Sequence, residues 1–294
     1  MQEKSLRIIY VCDDLMIGGW SSLADMILKF KREGDAVSVV TLFGKGYYAD
    51  ILEKNGIDVL CMEMNKKNFL WSFARLVLFF RKESPDIVHT NLHYSDIFGI
   101  AAAFLAGVKG RVIQVHSIGE KYRHQLGFLK RFVLSKVTAV SAVSSAAAEA
   151  FRREYPSFSG AISVVPNGID ICEFSRRVAE SKCRKSDFGI PENVFTVLTA
   201  ANFKWQKGYE HLVEAVALLD KTSFRFLAAG HGPEHDKIKK MIAEKNIGDK
   251  IILLGARTDV PELMNIADAF LLPSVVEPFG ICVIEAFAAG VPVI

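Results

Sequence analysis

Two glutamates near the carboxyl end of the sequence, Glu277 and Glu285, are the residues best placed for chemistry. They flank a Pro-Phe-Gly turn, with an apolar strand-like run over residues 269–275 before it and a helix-like run over residues 281–289 after it. In an open α/β sheet, a carboxylate at the end of a strand points into the crevice where ligands bind. Because Glu285 falls one to two turns inside the helix, it could reach a second polar part of the same ligand.

The start of that helix adds an anion site between the two carboxylates. Its first N–H groups belong to Phe279, Gly280 and Ile281. A helix N-terminus attracts phosphate because these N–H groups lack helical partners and the helix dipole is positive there. The combination predicts a ligand with hydroxyls at both ends and phosphates between them.

Polar or glycine-rich loops follow other predicted strands as well. These loops contain Gly18, Gly19, Asn202, Lys207, Gly230 and Gly232. Each is a common β–α loop when taken alone, and the Gly18-Gly19 pair lacks the spacing of a dinucleotide fingerprint. Lys207 precedes a helical run and could meet phosphate at the sheet edge. Together with the two glutamates, the loops of the second half have the layout expected of a ligand crevice.

Histidines and paired aspartates suggest other sites less strongly. His116 ends a predicted strand, where it could donate a hydrogen bond or carry charge, although a lone histidine is more often structural. His89, His93 and His116 lack metal-ligand spacing, so no zinc site is expected. Asp13-Asp14 is the nearest approach to a D-x-D motif, and we interpret it as a polar loop or an acceptor contact.

Composition places the chain among globular proteins. It has 294 residues, 50% of them hydrophobic and 23% charged, and its net charge of +3 is too small to argue for nucleic acid. None of the five cysteines is in a CxxC pair, and Cys12, Cys61 and Cys282 lie in apolar runs, which predicts buried thiols in a reducing cytosol. We expect no signal peptide before the first strand, and no apolar run reaches the ~20 residues of a spanning helix.

Short β-rich runs alternate with helical runs, which predicts parallel sheets covered by helices. The strands of the first half are predicted at residues 6–12, 36–42, 58–64, 86–91, 111–117, 137–143 and 162–166. Amphipathic helices are predicted at residues 22–32, 69–82 and 145–154. These elements define a first Rossmann-like domain over residues 1–170.

A polar stretch over residues 171–193 interrupts the rhythm and is predicted to be a linker with a short helix. The alternation then restarts, which predicts a second Rossmann-like domain over residues 194–294. Its strands are expected at residues 195–201, 224–229, 251–255 and 269–272, with a fifth beginning at residue 292. An apolar strand is an unusual terminus, so we expect a fragment whose second domain is incomplete.

The motifs resemble, in order and spacing, the retaining glycosyltransferases of family 4, which have the GT-B fold. The resemblance covers the whole chain and rests on the Gly18-Gly19 loop, Val-Pro-Asn-Gly-Ile-Asp at residues 165–170, Lys207-Gly208, Gly-His-Gly-Pro at residues 230–233, Leu254-Gly255 and the Glu277/Glu285 pair. It implies two Rossmann-like domains facing each other across a cleft. The first domain would bind the acceptor and the second the nucleotide-sugar donor.

The resemblance also implies roles for the site residues. Glu277 would contact hydroxyls of the donor sugar, and Glu285 would hold the ribose. The amides of Phe279, Gly280 and Ile281 would cradle sugar and phosphate, Lys207 would neutralise the diphosphate, Gly19 would approach the phosphates, and His116 would lie near the transferred sugar. Gly18, Asn202, Gly230 and Gly232 complete the implied donor site.

In similar enzymes the leaving phosphate takes the acceptor proton and attack occurs on the same face, so neither a metal nor a cofactor is required. Two departures matter. Many relatives have arginine where this chain has Asn202, which cannot supply that charge, and relatives extend beyond residue 294, so we expect this chain to be less stable and to lack turnover. The alternatives are a nucleotide-sugar epimerase or a glycogen-synthase-like polymerase of the same fold, and a non-catalytic partner.

The implied acceptor is a saccharide or lipid-linked hydroxyl compound used in cell-surface polysaccharide, lipopolysaccharide or glycolipid synthesis in bacteria. Two basic, aromatic runs over residues 66–82 and 121–132 could lie on an anionic membrane. The alternative is a pair of helices packed on the sheet with solvated basic edges. The expected location is therefore the cytoplasm, with peripheral contact to the inner membrane surface. The implied donor is a UDP-, GDP- or ADP-sugar.

Overall fold

The computed structural model describes residues 5–17, 20–116, 127–219 and 224–294. The chain divides into two compact units, the first ending at Asn167 and the second beginning at Gly168. Each unit contains one parallel sheet of its own. Among the described residues, eleven of the predicted strands are present in these two sheets, and the strand expected from residue 292 is an isolated bridge between Phe270 and Val293.

The first unit is built on a seven-stranded sheet in the order β3-β2-β1-β4-β5-β6-β7. Its strands are β1 (Arg7–Cys12), β2 (Ala36–Thr41), β3 (Asp58–Cys61), β4 (Ile87–Thr90), β5 (Gly110–Val115), β6 (Ala139–Ala142) and β7 (Ala161–Val164). Its helices are α1 (Ser21–Arg32), α2 (Tyr47–Lys54), α3 (Phe69–Glu83), α4 (His93–Ala106), α5 (Gly127–Leu134) and α6 (Ser145–Glu154). The seven strands predicted from the sequence are confirmed, with ends shifted by up to three residues.

Alternation along β1 shows how this sheet separates two cores. Ile9 and Val11 pack in one buried cluster with residues of α3 and α4. Ile8 and Tyr10 point the other way and pack with residues of α1 and α2. Because successive side chains of a strand face opposite sides, a strand buried on both faces needs a continuous apolar run.

The second unit has a four-stranded sheet in the order β10-β9-β8-β11. Its strands are β8 (Phe195–Ala200), β9 (Phe224–Ala229), β10 (Ile251–Gly255) and β11 (Ala269–Phe270), and its helices are α7 (Ile171–Ala179), α8 (Tyr209–Leu218), α9 (His235–Glu244), α10 (Val260–Met264) and α11 (Ile281–Ala288). The strand predicted at residues 269–272 is shorter than expected, since β11 ends at Phe270. Leu271 still donates its N–H to the carbonyl of Leu198, but Pro273 has no N–H with which to extend the ladder.

The segment over residues 171–193, predicted to be a linker with a short helix, contains helix α7 and belongs to the second unit. Helix α7 begins at an N-cap, Asp170, whose carboxylate accepts the N–H of Glu173. Phe174 and Val178 pack against the buried core of the second unit, and Ser175 donates its hydroxyl to the carbonyl of Ala288. The polar composition of this segment therefore reflects the solvated face of a docked helix.

Two of the predicted buried thiols are more open than expected. Cys12 is buried, but Cys61 and Cys282 are only partly buried. Cys61 ends β3, which is an edge strand, and Cys282 lies in the first turn of α11. Among the described residues, no helix has the length and apolar character needed to cross a bilayer.

Candidate functional site

Loops that follow β8, β9 and β11 come together at the carboxyl edge of the second sheet. The N–H of Ala201 donates to the carbonyl of Ala229 at 3.0 Å, and the N–H of Phe203 donates to the carbonyl of His231 at 3.1 Å. The loops after β8 and β9 are thus joined by backbone hydrogen bonds. Parallel strands end at the same edge of a sheet, which is where open α/β sheets bind ligands.

Gly230 and Gly232 permit this close approach. A Cβ atom on Gly230 would lie 1.9 Å from the carbonyl oxygen of Ala201, and one on Gly232 would lie 2.5 Å from the carbonyl oxygen of Phe203. Both glycines therefore have a packing role within the protein. Their assignment to donor binding stays a prediction.

Lys207 is positioned by a second pair of loops. It ends a 3-10 helix, Trp205–Lys207, and Gly208 follows in the left-handed conformation with φ of 64°. A Cβ atom on Gly208 would lie 1.8 Å from the carbonyl oxygen of Pro273. The N–H of Val275 donates to the carbonyl of Gln206 at 2.8 Å. The loop after β8 is therefore packed directly on the loop after β11.

The side chains of Lys207 and Glu277 meet where these loops touch. Lys207 Nζ lies 2.5 Å from Glu277 Oε2, and each side chain is 22% exposed. Ser274 donates its hydroxyl to the same carboxylate oxygen at 3.0 Å. The sequence identified both charged residues but neither their contact nor Ser274, because a contact between loops 70 residues apart leaves no signal in local spacing.

Helix α11 begins at Ile281, directly after these residues. Gly280 is its N-cap, with φ of 82°, and Phe279 precedes it. Burial raises the pKa of the Cys282 thiol to about 12, and the charges of Lys207, Glu285 and Glu277 also act on this thiol. The structure therefore brings Lys207 and Glu277 together beside the start of α11, the helix that also carries Glu285.

Asn202 lies on the same edge, in the loop after β8. It is partly buried, and its carbonyl accepts the N–H of Lys204 at 2.8 Å. An amide there leaves Lys207 as the cation that this loop places against Glu277. The positive charge available to an anionic ligand at this point is therefore that of Lys207 and the start of α11.

His116 lies in the first unit, after β5. Its Nε2 is 3.2 Å from Asn91 Oδ1, and burial lowers the pKa of the imidazole to about 4. Burial therefore favours the neutral form of the ring near pH 7. It can still donate or accept a hydrogen bond. Gly18 and Gly19 lie outside the described residues.

Asp13, which was predicted to lie in a polar loop, is partly buried in the first unit. It follows β1 directly and accepts the N–H of Ser95 at 2.7 Å, in the first turn of α4. Burial raises the pKa of its carboxyl group to about 6. Within the described parts of the chain, no cluster of three or more His, Cys, Asp or Glu side chains could hold a metal ion.

A largely apolar cavity of about 550 Å³ opens at the carboxyl edge of the first sheet. It is lined by Phe43, Met64, Asn65, Lys66, Phe69, Tyr94 and Phe98. Phe43 and Tyr94 pack edge to face at 5.5 Å between ring centroids. Since these residues come from loops and helices after β2, β3 and β4, sequence spacing alone could not assemble them.

The chain matches two sequence families. Residues 17–173 match the family described as Glycosyltransferase Family 4, and residues 182–294 match Glycosyl transferases group 1. The first match covers more than half of the chain. The two matches follow one another, one over most of each structural unit.

Curated relatives share about a quarter of their residues with this chain. It is 26% identical over 260 residues to UDP-Gal:alpha-D-GlcNAc-diphosphoundecaprenol alpha-1,3-galactosyltransferase of Escherichia coli, covering 84% of this chain and 67% of that protein. It is 28% identical over 285 residues to N,N'-diacetylbacillosaminyl-diphospho-undecaprenol alpha-1,3-N-acetylgalactosaminyltransferase of Campylobacter jejuni, covering 90% and 74%.

Solved structures confirm the fold. The Anabaena protein HepE, solved in complex with UDP and glucose, superposes with a TM-score of 0.80 at 23% identity, covering 98% of this chain and 80% of HepE. At that identity the likeness establishes the fold, which is GT-B. With the fold, the matched families and the transferase relatives in agreement, the chain belongs to glycosyltransferase family 4.

Proposed function

We propose that this protein transfers a sugar, with retention of configuration, from a nucleotide-diphosphate sugar to a hydroxyl group of a lipid-linked saccharide. The observation that carries the proposal is the ion pair of Lys207 and Glu277 beside the start of α11, the helix that also carries Glu285. The Escherichia coli relative is named for UDP-galactose and a diphosphoundecaprenol acceptor, and the Anabaena structure contains UDP. These names favour a UDP-sugar as the donor and a lipid diphosphate in the acceptor.

The donor fits the charges of the second unit. The first N–H groups of α11 and the ammonium group of Lys207 would face the diphosphate. Glu277 would accept hydroxyl hydrogens of the sugar with the carboxylate oxygen that Lys207 leaves open, and Glu285 would accept those of the ribose. A dipole and a cation already fixed in place stabilise the leaving phosphate without reorganisation at the moment of reaction.

In the proposed reaction, the bond between the anomeric carbon and the leaving phosphate oxygen breaks, and a bond to the acceptor oxygen forms on the same face. The acceptor proton passes to the leaving phosphate oxygen. Glu277 is not assigned as a nucleophile, because Lys207 and Ser274 both bind one of its oxygens. His116 would take part as a neutral hydrogen-bonding group.

The acceptor is assigned to the first unit. The cavity at the edge of its sheet offers the aromatic rings of Phe43 and Tyr94 to a sugar face or an apolar chain, and Lys66 to a phosphate. Phe43→Ala should raise the KM for the acceptor several-fold and leave the Kd for UDP unchanged. Phe195→Ala, at a residue of similar exposure in the second unit, is the matched control. Equal effects of the two substitutions on the KM for the acceptor would contradict the assignment of the acceptor to this cavity.

Calorimetric titration of UDP, GDP and ADP into the protein tests the donor site. We expect UDP to bind best and Glu285→Ala to weaken it about tenfold to a hundredfold, because a hydrogen bond to a charged group is lost. Glu244→Ala, at an exposed glutamate of α9, is the control. Undiminished binding by Glu285→Ala would contradict the assignment of the site. Failure of the folded protein to bind any of the three nucleotides would contradict the proposed donor.

Lys207→Met separates binding from catalysis. Stabilisation of the leaving phosphate is needed mainly in the transition state, so kcat should fall by about a hundredfold or more, while the Kd for UDP changes far less. Lys204→Met, at an exposed lysine of the same loop, should leave both values near wild type. If kcat and the affinity for UDP fell equally, Lys207 would instead contribute to nucleotide binding as much as to the transition state.

A further inference from the structure

Helix α3 exposes apolar side chains along the face that points away from its core. Leu70, Trp71 and Leu78 are 80%, 65% and 61% exposed, whereas Leu76 and Phe80 are buried. Trp71 and Leu78 are seven residues apart, which is about two turns, so they share one side of the helix, and Leu70 lies about 100° around the helix from Trp71. A contiguous exposed apolar stripe marks a surface that contacts something else.

Positively charged side chains lie at both ends of this stripe. Lys66 and Lys67 precede α3, and Arg81 and Lys82 lie in its last turn. The guanidinium group of Arg75 lies 5.6 Å from the ring centroid of Trp71, in the middle of the helix. Glu83 is the single acid in the sequence of α3. The stripe therefore combines apolar side chains with a strong excess of positive charge.

Neighbouring helices continue the same surface. Arg81 Nη2 donates to the carbonyl of Leu105 at 3.1 Å, which joins the end of α3 to the end of α4. Phe104 at the end of α4 is 42% exposed, and Lys136 Nζ lies 5.0 Å from its ring centroid and 5.3 Å from that of Phe132 in α5. We call this surface the basic aromatic face; its members are Lys66, Lys67, Leu70, Trp71, Arg75, Leu78, Arg81, Lys82, Phe104, Leu105, Phe132 and Lys136.

We propose that the basic aromatic face docks the protein onto the surface of an anionic lipid bilayer. Leucine, phenylalanine and tryptophan side chains that enter the headgroup region, together with lysine and arginine beside them, are the chemistry of interfacial binding. A second copy of the chain fits less well, because a symmetric contact would place the same positive charges against each other. Charge complementarity thus selects anionic lipid as the occupant.

The proposed membrane contact would place the acceptor cavity near the bilayer. The contact itself does not depend on the proposed reaction. Lys66 and Phe69 line the cavity at the edge of the first sheet, and they lie at the amino end of the helix that carries the stripe. A lipid-linked acceptor would then reach the cavity from the bilayer beside it. Because vesicle binding needs neither nucleotide nor acceptor, its failure and that of the proposed transfer are distinguishable.

Co-sedimentation with vesicles tests the proposal. The protein should bind vesicles of equal parts phosphatidylcholine and phosphatidylglycerol at low salt, and release them at about 1 M salt, where the Debye length falls to ~3 Å. Binding to pure phosphatidylcholine should be much weaker. Absence of binding to the anionic vesicles, or equal binding to both compositions, would overturn the proposal.

Substitutions locate the contact. Leu70→Ser with Trp71→Ser, and separately Lys67→Gln with Lys82→Gln, should each lower the partition coefficient about tenfold or more. Leu218→Ser, at a leucine 85% exposed in the second unit, and Lys239→Gln with Lys240→Gln, on α9, are the controls and should bind as wild type. All four variants change exposed side chains, so their unfolding midpoints should match. Wild-type binding by either test pair would overturn the assignment.

Tryptophan fluorescence gives a readout that a merely structural role would not move. Emission should shift to shorter wavelength on anionic vesicles because Trp71 enters a less polar medium. Trp71→Phe should abolish the shift, and Trp205→Phe, at a tryptophan 54% exposed in the second unit, should keep it. If only Trp205→Phe abolished the shift, the membrane contact would lie on another surface. If the protein self-associated and the Leu70→Ser with Trp71→Ser variant did not, the basic aromatic face would instead bind a second copy of the chain.

Discussion

Gly208 fixes the distance between Lys207 and Glu277, because it leaves no room for a side chain where the two loops cross. A Cβ atom there would meet the carbonyl oxygen of Pro273 at 1.8 Å, and φ is already +64°. Gly208→Ala should lower the free energy of unfolding by about 3 kcal/mol, from left-handed strain together with the forced loop movement. Urea unfolding and UDP titration of the same variant measure both consequences, since displacing Lys207 should also weaken UDP binding.

Gly189 supplies the matched control for this substitution. It also follows a 3-10 helix in the left-handed conformation, with φ of +67°, but nothing lies within 4 Å of its Cβ direction. Gly189→Ala should therefore cost only the conformational strain, about 1 kcal/mol, and leave UDP binding intact. Equal costs for the two alanine variants would show that the contact with Pro273 does not constrain the loop.

Asp13 should make stability depend on pH in an identifiable window. Its pKa is raised to about 6 by burial, above the ordinary 3.8. Ionisation is therefore easier in the unfolded chain, so the contribution of Asp13 to stability is complete below pH 4 and is lost as pH rises through about 6. Asp13→Asn, which keeps an oxygen to accept the N–H of Ser95, should remove this dependence.

The comparison is best made as a difference in unfolding free energy between wild type and Asp13→Asn at pH 4 and pH 7. The difference should shift in favour of Asp13→Asn by on the order of 2 kcal/mol at the higher pH. Asp14→Asn, at the neighbouring residue whose carboxylate accepts the N–H of Met16, controls for surface charge. A constant difference across this range would mean that Asp13 ionises normally.

At the scale of elements, an ion pair between α7 and α10 helps to hold α7 in place on the second unit. Arg177 binds Glu262 of α10 through two guanidinium nitrogens at 2.8 to 3.1 Å, and it also donates to the carbonyl of Thr258. The two side chains are 36% and 27% exposed. A double-mutant cycle of Arg177→Ala and Glu262→Ala should give a coupling free energy of about 1 kcal/mol, the upper range for a solvated pair with two-point geometry.

A cycle of Arg176→Ala and Glu180→Ala measures the same chemistry within one exposed helix. Arg176 pairs with Glu173 and Glu180, and each of these side chains is at least half exposed. Coupling there should be about 0.3 to 0.5 kcal/mol. If the two cycles gave the same coupling, the ion pair between α7 and α10 would add nothing beyond an ordinary surface pair. Docking of α7 would then rest on Phe174, Val178 and the hydrogen bond of Ser175.

Strands could be predicted from the sequence where their side chains are buried on both faces of the sheet. Strand β1 is apolar after its first residue because both its faces pack on helices, as the two clusters on either side of it show. A short helix was predicted in the segment of α7, but its docking on the second unit was not, because Phe174 and Val178 pack on the core while most of the segment is polar and resembles a linker. Strand β11 was predicted too long because its apolar run continues beyond the point where Pro273 ends the ladder.

The candidate site was predictable in its parts but not in its assembly. Family motifs identified Lys207, Glu277 and Glu285, and the structure brings Lys207 and Glu277 together beside the start of the helix that carries Glu285. The ion pair, the hydroxyl of Ser274 and the packing role of Gly230 depend on loops that meet only in the fold. The aromatic cavity of the first unit is the same case, since three separate β–α connections supply its lining.

For the whole molecule, each unit has its own sheet and its own buried clusters, so each can respond separately to a local change. Val40 is fully buried in the first unit and Leu227 in the second. Val40→Ala and Leu227→Ala should each destabilise their own unit by about 2 to 4 kcal/mol. Scanning calorimetry should then resolve two transitions, each lowered by one substitution, because a domain with its own core unfolds as a unit.

UDP should raise only the transition that Leu227→Ala lowers, since Lys207, Glu277 and Glu285 all belong to the second unit. At about a hundred times the Kd the bound nucleotide adds about 2.7 kcal/mol, which for a unit of this size corresponds to a Tm increase of roughly 10 °C. Glu285→Ala should remove most of the increase. A nucleotide that instead raised the transition lowered by Val40→Ala would place the donor in the first unit. A single transition lowered equally by both core substitutions would show that the two cores unfold as one.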